Sequence, residues 1–286
     1  MQRTLLFLIL LFFQNTLSAQ TSIWEIQKDK QSIYLGGTIH LLREKDYPLP
    51  LEYETAYNKS DSIYFETDLT TLESPEAQKM ILSSMYYKNG KKLSSVLSKE
   101  VYEKLSTYVK LRGLDIKQFD HFKPAMILLT LTIMELKNLG VHNIGVDKYY
   151  LLKTLKDKKH IGELESVQTH VNYMSSMGIG HENRVITEAL KDLGKTKEKF
   201  EKMIDSWRKG KNKLLYKLIV KQMKENTPNL YKSILVERNE NWMPVLKSLF
   251  KNDKTEFVLV GTAHLVGKDG LLQKFRNLGY HVQRLK

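Results

Sequence analysis

The chain has 286 residues, with 45 Lys and Arg against 32 Asp and Glu, a net charge of +13 and no cysteine. The missing cysteine excludes disulfides, thiolate metal centres and lipid attachment through a thiol, while the length suffices for one large core. The lysine excess is spread along amphipathic segments such as 195–224 and not gathered into a basic cluster interleaved with aromatics, so it reads as solvated helix surface. That speaks against nucleic-acid binding and leaves weak attraction to an anionic envelope or an acidic substrate.

The first nineteen residues read as a secretory leader. Arg3 precedes an apolar run from Leu5 to Phe13, and Leu17-Ser18-Ala19 ends it with a small residue. The run is too short to span a bilayer. An exported protein is expected, periplasmic or secreted, with no stable membrane span once the leader is gone. Residues 20–286 are then expected to form a single domain.

Ser22 to Ile26 alternates as a half-buried strand, with a turn at Asp29-Lys30-Gln31 before a second strand. Pro48 and Pro50 mark a loop. Leu51 to Lys59 is predicted as a short helix. Ser62 to Asp68 is predicted as a third strand, on which period two places Glu66 and Asp68 on one face. Ser74-Pro75-Glu76 and Ser98 open helices, the second ending near Gly113. Pro124 to Leu139, closed by Gly140, is an apolar helix that is too short to cross a membrane. Tyr149 to Leu155 continues the helical pattern, and Lys159 to Leu164 is a short strand. From Val167 to Phe250 the pattern is helical, broken at Gly178-Ile179-Gly180, Gly194, Gly210 and Pro228. Strands at Phe257–Val260 and Tyr280–Leu285 bracket a helix at Leu271–Asn277. The expected fold is α/β: a central mixed sheet from both ends of the chain, with a large helical insertion between.

Two strands end alike. Gly37-Thr38-Ile39-His40 closes the second, and Gly261-Thr262-Ala263-His264 closes the Phe257 strand more than two hundred positions later. Ligands of open α/β sheets bind where such strands end. The two imidazoles, together with one carboxylate, Glu66 or Asp68, can hold a divalent ion and leave a position open for water. The same residues serve a metal-free site in which a histidine is the general base. Glu66 in an apolar strand is costly to bury unpaired, so it requires a partner or a site. Asp68 is divided between a site and capping the next loop. Glu165 and Asp147 are each divided between catalysis and helix capping, and Arg238 between the site and a salt bridge to Glu66 or Glu165. His121, His142, His160, His170, His181 and His281 lack a paired motif and read as surface or core residues. Trp207 and Trp242 read as helix-packing anchors.

The ordered set of motifs resembles the TraB/GumN/Tiki family, within the wider erythromycin-esterase/ChaN-like group. The resemblance rests on both Gly-x-x-His blocks, Phe65-Glu66-Thr67-Asp68, Gly145-Val146-Asp147, and Leu164-Glu165-Ser166-Val167-Gln168. It rests also on Trp207-Arg208-Lys209-Gly210, Arg238-Asn239 with Trp242, Asp269-Gly270 and Leu278-Gly279-Tyr280. The Leu164–Gln168 segment departs from the family in having Ser166 for threonine and a closer glutamine. The resemblance implies a hydrolase, with His40, Glu66 and His264 as metal ligands of a metalloprotease-like site. Arg238 would stabilise developing negative charge, Asn239 would orient substrate or a histidine, and Glu165 joins the catalytic candidates. Manganese or cobalt is the implied metal, although nitrogen and oxygen donors alone do not choose among these and zinc. A peptide or small ester is the expected substrate. The alternatives are a metal-independent esterase-like hydrolase, a non-catalytic module that binds a peptide or glycan, and a haem-binding protein.

Overall fold

The computed structural model describes residues 21–141 and 143–285. The expected leader and His142 lie outside the described residues. The six-stranded sheet has the order β6-β4-β7-β2-β1-β8. Its strands are β1 (Ile23–Lys28), β2 (Gln31–Thr38), β4 (Ser62–Phe65), β6 (His160–Glu163), β7 (Glu256–Gly261) and β8 (His281–Arg284). A separate two-stranded ladder pairs β3 (Leu41–Leu42) with β5 (Asn143–Ile144). Pairings β6/β4, β4/β7 and β7/β2 are parallel, whereas β2/β1 and β1/β8 are antiparallel. The sheet is therefore mixed and drawn mainly from the two ends of the chain, with helices between.

The apolar pattern explains the sheet's centre. Phe257, Val258, Leu259 and Val260 are all buried, as befits a parallel strand covered on both faces. Beside it Gly36 is packed so closely that a Cβ there would lie 2.7 Å from Phe257 and 2.9 Å from Ile23 and Leu259. Glycine at that position lets β2 settle against its neighbours. Trp207 and Trp242 are fully buried in the same core as the sheet. Truncating such a residue to alanine costs about 3–5 kcal/mol.

A second core lies among the helices Lys99–Lys110, Pro124–Asn138 and Glu182–Leu193, built around Leu105, Ile127, Leu131 and Ile186. The starts at Ser98 and Pro124, and that of the neighbouring helix at Ser74-Pro75, are those legible in the sequence. The Ser98 hydroxyl accepts from Val101 N, and Ser74 with Pro75 opens the helix Pro75–Ser84. The long helical stretch breaks at Gly178 and Gly180, after Leu193, at Gly210 and before Pro228. Gly178, Gly180 and Gly210 each have positive φ. Two turns widen to π-helix, at Tyr216–Lys221 and Lys232–Glu237, which no propensity in the sequence signals. Among the described residues no helix is long and apolar enough to cross a membrane.

The third strand is shorter than expected. β4 stops at Phe65, so Glu66 and Asp68 do not share the face of a strand. Asp68 instead caps the short helix Leu69–Leu72: its Oδ1 accepts from Thr70 N at 2.9 Å and Thr71 N at 3.2 Å. An aspartate followed by two threonines satisfies the free N–H groups of a helix start better than it extends a strand.

Candidate functional site

The parallel strands β6, β4, β7 and β2 end on the same side of the sheet, and the candidate residues follow those ends. Strand β2 is pinned at Gly37, whose carbonyl accepts from Tyr53 Oη and from Trp207 Nε1 at 2.7 Å. The next carbonyl, that of Thr38, accepts from Thr262 Oγ1 at 3.0 Å. That bond ties one Gly-x-x-His segment to the other. Past β2 the chain carries His40 outward. Past β7 it turns at once into the short helix Thr262–Leu265, which carries His264 inward.

The three expected ligand residues converge on Gly261. A Cβ built there would lie 3.3 Å from Glu66 Oε1, 3.7 Å from His264 Cδ2 and 3.8 Å from His40 Nε2. Any larger residue would fill this cradle. Glu66 Oε1 also accepts from Gly261 N at 2.7 Å and stands 3.9 Å from His264 Nε2.

Each imidazole is oriented from behind. His264 Nδ1 lies 2.8 Å from Asn239 Oδ1, and Asn239 Nδ2 donates to the carbonyls of His264 (3.1 Å) and Asp269 (3.0 Å). Those two acceptors fix which way the amide points, so the Asn239 oxygen must take the His264 Nδ1 proton. The lone pair is then on Nε2, toward Glu66. His40 Nδ1 is 3.2 Å from Asp147 Oδ2, which leaves its Nε2 facing Gly261. Ring nitrogens held in this way are the usual support for metal-ligating histidines. Asp147 is in the first turn of the helix Val146–Asp157, and Gly145 at its start packs on the backbone of Ile39 and His40.

Behind the cradle is a buried charge cluster. Arg238 Nη2 donates to Glu66 Oε2 and to Glu165 Oε1, each at 2.6 Å, and Nη1 reaches His264 Nε2 at 3.3 Å. Glu165 accepts further from Arg238 Nε at 3.2 Å and from Trp242 Nε1 at 2.9 Å, and its Oε1 lies 2.9 Å from His170 Nδ1. Arg238 thus bridges both of the carboxylates expected as alternatives. Glu165 does not cap the helix Val167–Ser176, because Ser166 does so by accepting from Thr169 N at 3.2 Å.

The charge states follow from these contacts. Burial alone would raise the Glu66 carboxyl, but Arg238, His264, His40 and the Gly261 N–H outweigh it and hold it well below the carboxylate range. Burial pushes His264 down to about 3, with Arg238 adding to the effect and Glu66 opposing it, so this ring is neutral. Asp147 pushes His40 up to about 9, with burial opposing. Burial would raise Glu165 as well, but His170, Arg238 and Trp242 bring it down.

Sequence reasoning passed over two members of the cluster. Trp242 packs, as expected, but its ring also lies against His264, tilted by 39° with centroids 4.4 Å apart, and its indole N–H donates to Glu165. Its position one helical turn after Arg238 was a usable signal. His170 had no motif to mark it; only the tertiary fold brings it to Glu165.

Two sets of side chains could therefore hold a cation. The ligand atoms of Glu66, Glu165 and His170 lie within 4.8 Å of one another, but the Arg238 guanidinium stands among them, on hydrogen bonds to both carboxylates. The His40, Glu66 and His264 set has two imidazole nitrogens and a carboxylate oxygen around an open glycine. Donors of these types are ones a divalent ion accepts, but among the described residues it is the Glu66, Glu165 and His170 atoms, not these, that all lie within 4.8 Å of one another. A cleft of about 770 Å³ beside Arg43, Lys45, Asn138 and Lys197 contains none of these residues.

Comparison with known proteins gives two findings. The model of the TraB/PrgY/gumN family matches residues 22–284. The chain is 23% identical over 317 residues to Metalloprotease TIKI1 of Xenopus tropicalis, covering 91% of this chain and 60% of that protein. It is 23% identical over 318 residues to human Metalloprotease TIKI1, with 91% and 61% covered. To the Metalloprotease TIKI homolog of Nematostella vectensis it is 19% identical, with 92% and 67% covered. The chain thus spans about three fifths of the length of the first two relatives. No solved structure matches it.

Proposed function

We propose a metal-dependent hydrolase acting on peptides, from one premise: the chain belongs to the TraB/PrgY/gumN family. The observation that carries the proposal is the approach of His40 Nε2, Glu66 Oε1 and the His264 ring to Gly261. The printed name of the TIKI relatives, metalloprotease, supports the same reading. His40, Glu66 and His264 would hold the divalent ion, which when bound would acidify a water molecule and polarise a carbonyl. Asn239 puts the His264 lone pair on Nε2, where Arg238 Nη1 donates in the metal-free protein; an ion on that nitrogen would take the place of this bond. Asp147 aims His40 and, in the metal-free protein, keeps it protonated until the pH approaches about 9. Arg238 places a fixed positive charge beside the reacting centre, where negative charge would develop. Glu165 and Trp242 hold Arg238 in place.

Manganese, cobalt and zinc all fit this donor set. The test is metal analysis and titration of untagged protein. One divalent ion per chain is expected, lost in His40→Ala and in His264→Ala. Hydrolysis that is indifferent to chelator, in protein free of metal, would replace this mechanism with the esterase-like one, in which a histidine takes the proton from water. We further propose that residues 1–19 are a leader, that the protein is exported, and that the remainder is one domain. A mature N-terminus at residue 20 would be the supporting result.

A further inference from the structure

The hydrogen bonds of Arg238 divide the buried site into two cation positions that share Glu66. Oxygen Oε1 serves the first, which faces His40 and His264. Oxygen Oε2 serves the second, where Arg238 Nη2 stands 2.6 Å away. The same nitrogen lies 2.6 Å from Glu165 Oε1 and 3.2 Å from His170 Nδ1. Two carboxylates and an imidazole whose donor atoms are within 4.8 Å of one another make a ligand set for a metal ion, and the guanidinium fills it. A carboxylate between two cations is the arrangement of two-metal hydrolases, whose ions clamp the attacking and leaving oxygens.

Counting donors shows what the guanidinium has left. It carries five N–H groups. The Nε–H is shared between the two oxygens of Glu165. The two on Nη2 go to Glu66 and Glu165, and in the metal-free protein one on Nη1 goes to His264 Nε2, a bond that an ion on that nitrogen would release. The second Nη1–H has no acceptor among the described residues. Arg238 is only 3% exposed, so water does not readily supply one. A buried donor left unmade is costly, and a substrate oxygen arriving at the cradle would satisfy it.

We infer that Arg238 is the built-in second cation of this site: it takes the place of a second metal ion among Glu66, Glu165 and His170, and offers its free Nη1–H to the substrate's carbonyl oxygen as negative charge develops there. The inference rests on the metal reading for the first position and adds to it a stoichiometry and a catalytic contact. A single ion then suffices, because the fixed charge of the guanidinium does what a second ion does elsewhere. Trp242 supports the arrangement, with its indole N–H on Glu165 and the guanidinium 4.7 Å from its ring.

The test is metal stoichiometry, read by equilibrium dialysis of untagged protein against Mn²⁺ followed by elemental analysis. Electron paramagnetic resonance detects whether two Mn²⁺ ions are coupled. The native chain should hold one ion. Arg238→Ala should hold two, with a coupled signal, and Arg238→Ala/Glu165→Gln should return to one. Arg238→Met, close in volume, serves the same purpose should the alanine variant fail to fold, with circular dichroism as the check. Arg238→Lys should hold one ion, because it keeps a cation in the pocket. With a peptide substrate, the loss in Arg238→Ala should be roughly 100-fold or more in kcat, with KM little changed, as for the loss of one oxyanion donor. A folded Arg238→Ala or Arg238→Met chain that still holds a single ion overturns the inference and leaves the metal reading intact. A native chain with two ions also overturns it. A native chain that holds none overturns the metal reading itself.

Discussion

The two Gly-x-x-His segments have the same key residues and nearly the same place in the sheet, yet their histidines sit in opposite surroundings. The His40 side chain is 68% exposed and faces the carboxylate of Asp147, whereas that of His264 is 5% exposed and lies between Asn239 and Arg238. One ring is pushed up to about 9 and the other down to about 3. The divergence begins at the strand ends. Thr38 pairs with Gly261, so the segments are offset by one residue, and the second winds into a helix where the first runs on. A motif therefore fixes which group arrives at the site, and the partner behind it fixes the charge on that group.

The largest expected effect comes from removing what both histidines share. Glu66→Ala should abolish metal binding and leave Arg238 with half of its charge partners gone. Breaking a buried pair in this way costs about 3–5 kcal/mol, to be read by urea unfolding of the metal-free protein. A variant as stable as the native chain would show that Glu66 does not hold the two halves together.

Next come the two orienting partners. Asn239→Ala should weaken metal binding about 10–100-fold, since the His264 tautomer is no longer set. Asp147→Asn should cost less, because its contact with His40 is solvent-exposed and still has an acceptor oxygen. A metal titration that ranks them the other way would break the contrast drawn between a buried and an exposed ligand.

The pH dependence of the metal-free protein sharpens the contrast further. His264 is depressed in the folded state, so the unfolded chain takes up its proton first. Stability from this group should fall as the pH drops from about 6.5 towards about 3, by up to about 1.4 kcal/mol per pH unit. Glu66 is also depressed and adds to the acid loss below its ordinary carboxylate range. His40 is raised, so its contribution is complete below about 6.5 and disappears as the pH climbs through about 9. His264→Gln should flatten the acid limb of the stability curve, and His40→Gln the alkaline limb. Nuclear magnetic resonance titration of Asp147→Asn should find His40 back near its ordinary value, and an unchanged His40 would refute the assigned cause.

The smallest effect is expected far from the site. Lys202 pairs with Glu198 at 2.5 Å on an exposed helix face. Lys202→Ala should change stability by no more than about 0.5 kcal/mol, measured by the same unfolding experiment. A larger loss would mean that the lysine excess carries structural weight.

Much of the fold was legible because local rules set it. Ser74-Pro75 and Ser98 mark helix starts through their caps, and the apolar run at 257–260 could only be a buried strand. Glu66 was legible for a different reason: a carboxylate in that setting demands a partner. The third strand was drawn too long because alternation alone cannot tell where a strand stops, and of the two readings open for Asp68 the structure has the cap, favoured by the two threonines that follow. His170 and the π-helical turn before Arg238 left no local trace. Both depend on how the helices pack against the ends of the sheet.

By itself, then, the sequence determined most of the sheet strands, the capped helix starts and the two histidine segments, and it marked the acids as candidates, since each follows from side chains within a few residues of one another. Tertiary structure alone decided that the cradle is centred on Gly261, that one arginine joins two acids, and that equivalent histidines carry opposite charge tendencies. Those outcomes come from electrostatics and burial among groups contributed by strand ends and helices far apart along the chain, and a carboxylate, an amide or a guanidinium placed behind a ring changes its chemistry without changing the motif that contains it.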